Sequence, residues 1–260
     1  MRSFMRLCLM GIACLPAPAQ TSRAAGAGED PRFEIYTGVD TDTRSASLNT
    51  SIVWGLFWPV NQPGFRIKLD GLAGLYGDSS ANVFSGNFAA GGVKGLGDLM
   101  AGYQFNQGPY WFKVYTGAAY QLRMQIVWQA GQIVQEPEWG AAAAVEGFWQ
   151  VSNRLSFSAS LSWLQPDNTV SLYSRSAYLL HRFDFGLDIS SGGEAGLTIS
   201  NANEFKEGKA LGIYDGYMRA GPLIDLRYGS HDLTLSGGLS EASEDARSRP
   251  YASIRYGRQF

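Results

Sequence analysis

Hydrophobic and polar residues alternate with a period of two along most of the chain beyond residue 32. The clearest stretch runs from Leu155 to Trp163, where each odd position is apolar and each even position is serine. Successive side chains of a strand point to opposite faces, so this period is typical of strands and not of helices. The pattern predicts an all-β, antiparallel protein with about twelve strands, at residues 33–40, 45–59, 64–77, 94–105, 109–122, 140–151, 154–164, 169–180, 183–198, 214–228, 231–241 and 249–260.

The predicted connections alternate between short and long. Every second one is a tight turn, such as Asn106-Gln107-Gly108 or Ser152-Asn153, whereas the long ones fall at 78–93, 123–139 and 199–213. Short turns on one rim and long loops on the other are typical of a transmembrane β-barrel in an outer membrane. An even strand count then places both chain ends on the short-turn rim, which faces the periplasm.

Aromatic residues and the last residue favour the same fold. Trp54, Tyr110 and Tyr228 lie near predicted strand ends, where membrane proteins carry their aromatic girdles. Phe260 ends the final strand and shares an apolar face with Ile254. A terminal Phe on an alternating strand resembles the signal that the barrel-insertion machinery reads. We therefore expect that machinery and outer-membrane lipid as partners.

Residues 1–19 have the features of a cleaved secretory signal peptide. Arg2 and Arg6 precede a short apolar core, and Ala17-Pro18-Ala19 is a small-x-small cleavage site. The core, residues 7–15, is shorter than the roughly 20 apolar residues that a membrane-spanning helix needs.

Both cysteines, Cys8 and Cys14, lie inside this predicted signal peptide. The exported chain then has no disulfide and no thiolate site. Lipoprotein processing at Cys14 is the alternative. Residues 20–32 are small, polar and rich in Gly and Ala, which indicates a flexible lead-in before a barrel at 33–260.

The composition fits an exported barrel. Hydrophobic residues make up 45% of the chain and charged residues 17%, whereas globular domains average about 25% charged. Without Arg2 and Arg6 the chain has 19 basic residues (21 minus 2) against 23 acidic ones, a net charge of −4. This balance argues against nucleic-acid binding, which needs a basic face.

Charged residues occupy the polar face of the predicted strands, which faces the lumen in a membrane barrel. Mixed signs in a narrow lumen predict paired, hydrogen-bonded networks, because an unpaired buried charge is costly. A hydrophilic conduit for a saccharide is the alternative. The candidate lumen residues are Arg66, Lys68, Asp70, Asp98, Lys113, Glu146, Arg175, Asp184, Asp188, Glu194, Asp225, Arg227 and Arg255.

The predicted loop 123–139 contains Trp128 and Trp139 among amide and carboxylate side chains. An indole ring stacks on a sugar ring and polar neighbours bind its hydroxyls, so both tryptophans are candidate glycan contacts. The same composition is typical of a loop at a membrane interface.

Catalysis has little support in the sequence. The two histidines, His181 and His231, fall at separate short turns with no readable nucleophile, base and orienting group. Asp184 and Asp188 would lie about 13 Å apart on one strand, too far for glycoside hydrolysis. We predict a non-enzymatic protein without a metal or cofactor.

Several segments, taken in order, resemble one family of small outer-membrane proteins. They are Tyr36-Thr37-Gly38-Val39-Asp40, Gly64-Phe65-Arg66-Ile67-Lys68, Leu99-Met100-Ala101-Gly102-Tyr103-Gln104-Phe105, Lys113-Val114-Tyr115-Thr116-Gly117-Ala118 and Pro250-Tyr251-Ala252-Ser253. The family that they resemble is the alphaproteobacterial cellulose biosynthesis protein BcsS family. The resemblance implies a barrel associated with cellulose synthesis and secretion, with the polysaccharide or cellulose-secretion components as partners. It implies no catalytic residues.

Together these features predict a non-enzymatic barrel in the outer membrane of a Gram-negative bacterium. Its expected role is to support the biosynthesis or export of an exopolysaccharide, with cellulose as the expected polymer. A small oligosaccharide-selective porin is the first alternative, and an outer-membrane lipid-modifying enzyme is the second.

Overall fold

The alternating segments form twelve strands that pair edge to edge and close into a barrel. The computed structural model describes residues 30–43, 45–77, 91–127, 132–206, 209–242 and 248–260. The strands are β1 (Phe33–Asp42), β2 (Ser45–Gly55), β3 (Gly64–Gly77), β4 (Gly91–Gln107), β5 (Tyr110–Val127), β6 (Gln132–Gln150), β7 (Leu155–Leu164), β8 (Thr169–Arg182), β9 (Leu187–Lys206), β10 (Lys209–Tyr228), β11 (His231–Ala242) and β12 (Arg249–Gln259). The predicted antiparallel barrel is confirmed. The predicted signal peptide and most of the predicted lead-in lie outside the described residues.

The first and last strands close the sheet. β1 and β12 pair antiparallel along almost their whole length. The N–H of Phe260 donates to the carbonyl of Phe33 (2.9 Å), and the carbonyl of Phe260 accepts from the N–H of Arg32 (2.6 Å). An unpaired backbone group in hydrocarbon costs several kcal/mol, so only a sheet closed in this way can span a membrane.

Side chains alternate between an exposed apolar wall and a buried polar interior. In β12, Ser253 and Arg255 are buried, whereas Ile254 is 56% exposed. In β7, Ser158 is buried and Leu161 is exposed. A soluble sheet buries its apolar face, so this reversed arrangement is that of a membrane barrel. Among the described residues, no helix is long and apolar enough to cross a membrane.

The barrel has a short-turn rim, which carries both ends of the described chain, and an opposite long-hairpin rim. Gly108 and Gly229 lie in two of the tight turns at the short-turn rim, with φ of 60° and 58°. Glycine adopts positive φ without the steric cost that a side chain brings, which allows two-residue turns at these positions.

Exposed aromatic side chains gather at the short-turn rim. Phe33 stacks on Trp54 with ring centroids 5.9 Å apart, and Phe105 stacks on Phe112 at 4.6 Å. The other exposed aromatic residues near this rim are Phe57, Trp58, Phe65, Tyr110, Trp149, Phe157, Tyr178, Phe185, Tyr228, Tyr256 and Phe260. Aromatic belts mark membrane–water interfaces, so this belt of side chains indicates one boundary of the apolar band.

Four strands extend at least five residues farther toward the long-hairpin rim than the sequence pattern predicts. β5 and β6 stay paired up to Val127 and Gln132, and β9 and β10 up to Lys206 and Lys209. The predicted loops 123–139 and 199–213 are therefore wrong over most of their length. A 20-residue strand such as β9 is roughly 66 Å long, whereas the apolar band is about 25 Å tall. Outside that band the membrane no longer requires an apolar outer face, so the alternation of hydrophobic and polar residues fades in the sequence while backbone pairing continues.

Part of the interior is a packed apolar cluster on β3 to β7. Its members are Leu72, Leu96, Met100, Tyr115, Ala119, Ala142, Ala144 and Leu164. Tyr115 lies against Gly102 on β4. A Cβ added to Gly102 would overlap the carbonyl oxygen of Val114 and lie 3.0 Å from Tyr115 Cγ. Glycine at this position therefore leaves room for the tyrosine ring beside the β4 backbone.

We expect Gly102→Ala to destabilise the barrel by about 1–3 kcal/mol, because the added methyl must displace the β5 backbone or the Tyr115 ring. Gly71→Ala on β3 is the matched control, since no atom lies within 4 Å of a Cβ at Gly71. Urea unfolding of both variants in lipid vesicles measures the free energy of unfolding. Equal stability of the two variants would contradict this packing.

Candidate functional site in the barrel lumen

Lys68 organises a group of charges on one side of the lumen. Its Nζ lies 2.7 Å from Asp70 Oδ2 and 2.7 Å from Glu146 Oε1. Lys68 is on β3 and Glu146 on β6, so this ion pair joins strands that are not neighbours in the sheet. Asp98 lies beside Asp70 in the β3–β4 register and is also buried.

A second lysine, Lys113, forms an ion pair across the lumen. Its Nζ lies 3.5 Å from Glu34 Oε2, and both side chains are fully buried. Glu34 also accepts hydrogen bonds from Tyr36 Oη (2.6 Å) and Gln259 Nε2 (2.9 Å). This pair connects β5 with β1, again across the lumen. We refer to Glu34, Lys68, Asp70, Asp98, Lys113 and Glu146 as the lysine network.

Glu194 on β9 organises the opposite side. Its carboxylate accepts hydrogen bonds from Tyr173 Oη (2.5 Å), Ser236 Oγ (2.9 Å), Tyr251 Oη (3.1 Å) and Arg255 Nη1 (3.2 Å). These donors come from β8, β11 and β12. The side chain of Glu194 has no exposed surface, so its charge is neutralised within the protein.

Asp40 on β1 extends this group. Arg219 Nη1 lies 3.0 Å from Asp40 Oδ1, and Arg255 Nη2 lies 3.7 Å from the same oxygen. Asn49 Nδ2 donates to Asp40 Oδ2 at 2.7 Å. We refer to Asp40, Tyr173, Glu194, Arg219, Tyr251 and Arg255, with the adjacent ion pair of Arg175 and Asp225, as the arginine network.

The two networks close this part of the lumen to water. All their charged side chains are buried, although they lie on the inner face of the barrel. An open aqueous pore would leave them accessible to water. Several of the ion pairs join strands that are not neighbours in the sheet, such as Lys68 on β3 with Glu146 on β6 and Arg219 on β10 with Asp40 on β1, so they tie separate parts of the wall together.

The turn between β2 and β3 covers part of the short-turn rim. Val60 in this turn is fully buried, and its N–H donates to the carbonyl of Pro31 (2.7 Å). Arg66 is also fully buried and donates to the carbonyls of Pro59 (2.9 Å) and Gln62. The guanidinium therefore holds the turn over the β1–β5 side of the opening.

The structure places most of the candidate lumen residues on the inner face. Those that are buried there are Arg66, Lys68, Asp70, Asp98, Lys113, Glu146, Arg175, Glu194, Asp225 and Arg255. Asp188 and Arg227 are half-buried nearer the short-turn rim. There Asp188 accepts two hydrogen bonds from Arg182, and Arg227 lies 3.0 Å from Asp232.

Two predicted placements are wrong, and a third residue is not described. The role of Trp128 and Trp139 as glycan contacts stays a prediction. Asp184 is exposed in the turn before β9, where Gly186 has φ of 95° and reverses the chain, so it does not line the lumen. Trp139 lies on the outer face of β6 rather than in a loop, 73% exposed and 4.6 Å from the ring of Tyr120. Trp128 lies outside the described residues.

The sequence prediction missed Glu34, Asp40 and Arg219. Each lies at the inward parity of its strand, and Arg219 can be reached by steps of two from Asp225. Counting by two from known inner positions could therefore have found them. Their pairing gives no local signal, because Arg219 and Asp40 are 179 positions apart.

Metal binding finds no support in the described part of the chain. There, no group of three or more His, Cys, Asp or Glu side chains is arranged to hold a metal ion. Apart from Asp98, which lies beside Asp70, the carboxylates of both networks face lysine, arginine, hydroxyl or amide groups instead.

The barrel is similar to outer-membrane proteins of known structure. The β domain of the Bordetella autotransporter BrkA is 13% identical with a TM-score of 0.50, over 89% of this chain and 100% of that chain. The translocator domain of the autotransporter NalP from Neisseria meningitidis is 13% identical (TM-score 0.49), over 90% of each chain. The KdgM porin is 10% identical (TM-score 0.44), over 87% of this chain and 99% of that chain. Such low identities show the fold alone.

Sequence comparison gives the family. No curated protein matches the chain. The sequence profile described as cellulose biosynthesis protein BcsS matches residues 35–260, which is the whole barrel apart from the start of β1. Because this profile matches most of the chain, which folds as a closed barrel, the chain belongs to the cellulose biosynthesis protein BcsS family.

Proposed function

We propose that this protein is a non-enzymatic component of the outer membrane that supports cellulose biosynthesis or export as a closed barrel. Family membership and the exposed apolar wall support this role. In this proposal the short-turn rim faces the periplasm and the long hairpins face outward. The strand that ends at Phe260 is then the segment that the barrel-insertion machinery binds.

The single observation that carries the proposal is the filled lumen. Lys113 with Glu34 and Lys68 with Glu146 are buried pairs that cross the interior. An open channel would need these side chains moved apart and hydrated, whereas here they are closed off from water. The paired state therefore favours a structural or docking role over diffusion of oligosaccharides.

The environment of the two histidines supports a non-enzymatic role. His231 Nδ1 lies 2.6 Å from Tyr256 Oη, and both side chains are at the short-turn rim. His181 packs edge-on against Phe183 in a different hairpin. Neither contact has the nucleophile, base and orienting group that acyl transfer needs.

We expect the purified wild-type barrel to show no steady channel steps in planar bilayers. The double substitution Lys113→Ala with Glu34→Ala should produce them, because it removes both members of a pair that spans the lumen without leaving one charge alone. Single-channel recording measures this difference.

Thr37→Ala with Thr50→Ala is the matched control for that recording. These hydroxyls lie 3.3 Å apart on the outer wall of β1 and β2, away from the lumen. The control should stay silent like the wild type. Steady conductance of the wild type would overturn the closed barrel and favour the porin.

Deleting the gene in its own bacterium should lower the amount of cellulase-sensitive glucan at the cell surface, and the wild-type gene on a plasmid should restore it. Dye binding before and after cellulase digestion measures the polymer. Unchanged cellulose in the deletion strain would remove the proposed role.

A further inference from the structure

A polar pocket opens at the short-turn rim, on the side that the β2–β3 turn leaves uncovered. It has a volume of about 260 Å³ and lies between the ends of β6 to β10. Arg154, Arg182 and Asp188 line its mouth, and Ser156, Ser190 and Leu179 line its inner part. The pocket therefore joins the rim to the inner face of the barrel.

The lining offers hydrogen bonds beside an apolar surface. Arg182 Nε and Nη2 each donate to Asp188 at 2.7 Å, which fixes the guanidinium and carboxylate in one plane. The guanidinium of Arg182 keeps further N–H donors, and Ser156 and Ser190 add hydroxyls. Leu179 supplies the apolar part. A sugar ring has hydroxyls at its edge and C–H groups on its faces, so it matches both kinds of surface.

The next inner positions behind the pocket also carry polar side chains. Ser158 and Arg175 are register partners, one step farther inside than Ser156 and Ala177. Both are buried, and neither Ser158 Oγ nor Arg175 Nε has a hydrogen-bond partner among the described residues. Neither residue lines the pocket itself, and Arg175 is paired with Asp225, so the pocket ends against polar side chains rather than against an apolar wall.

We propose that this pocket binds a neutral β-glucan segment that enters from the periplasm. The inference rests on the proposed function, which places the rim near the polymer. Of the three arginines in the lining, Arg182 pairs with Asp188 and Arg227 with Asp232, whereas Arg154 lies exposed at the mouth, so most of the positive charge is already neutralised and the pocket does not require a charged sugar. The filled lumen above it stops the glucan at the rim, and the barrel acts as a docking point for the chain.

Calorimetric titration of the full barrel with cellopentaose, in a detergent without a sugar headgroup, tests the proposal. The wild type should bind, and Arg182→Ala with Asp188→Ala should bind about tenfold more weakly, since hydrogen bonds to charged groups are lost. The double substitution removes both members of this ion pair at the rim, so that neither charge is left alone. Arg154→Ala, an exposed substitution at the same mouth, is the second variant and should also weaken binding.

Arg32→Ala is the matched control, because Arg32 is exposed at the same rim outside the pocket. It should bind like the wild type. Absence of cellopentaose binding, or equal binding by all variants, would overturn the proposal. A parallel titration with cellopentaonate, the acid form, distinguishes a neutral ligand from a charged one. Binding of the acid form alone would contradict a neutral ligand. A wild type that restores cellulose but binds no cellopentaose would remove the pocket and keep the proposed function.

Discussion

Closure of the sheet between β1 and β12 is the constraint on which the rest of this structure depends. Hydrocarbon offers no hydrogen bonds to a backbone, so every N–H and C=O at membrane depth must find a partner in the sheet. Once the seam is made, side chains divide strictly between an apolar outside and an interior. The backbone of Phe260 is part of that seam, paired with Phe33 and Arg32.

The interior must then accommodate the polar residues that the membrane excludes. On the β3–β7 side an apolar cluster fills the space nearer the long-hairpin rim, and Lys68 and Lys113 pair with carboxylates below it. On the other side Glu194 and Asp40 face arginines and hydroxyls. Buried pairs add little net stability compared with apolar packing, but removing one partner is costly. The networks therefore fix how the walls face each other more than they strengthen the fold.

The strand pattern could be predicted because the membrane imposes it locally. The segment from Leu155 to Trp163 shows which side chains face outward and which face inward without reference to the neighbouring strands. The same alternation in other strands identifies Lys68 and Glu146 as inward-facing. Partners could not be predicted, because the contact of Lys113 with Glu34 depends on how the sheet curls. The prediction that Asp184 faces the lumen was wrong, because the turn at Gly186 interrupts an alternating stretch. The extensions of β5, β6, β9 and β10 were not predicted, because outside the apolar band the membrane no longer requires apolar and polar residues to alternate.

Cysteine accessibility at Ser253 tests the filled lumen most directly. Ser253 is on β12 beside Arg255, deep in the arginine network and 3% exposed, whereas Ser152 is exposed at the short-turn rim. Ser253→Cys and Ser152→Cys, each in a chain without Cys8 and Cys14, would be treated with a charged thiol reagent that does not cross membranes. A closed lumen predicts fast labelling at position 152 and labelling at least about a hundredfold slower at position 253, because a buried thiol is inert. Equal rates at both positions would contradict a lumen closed by side chains.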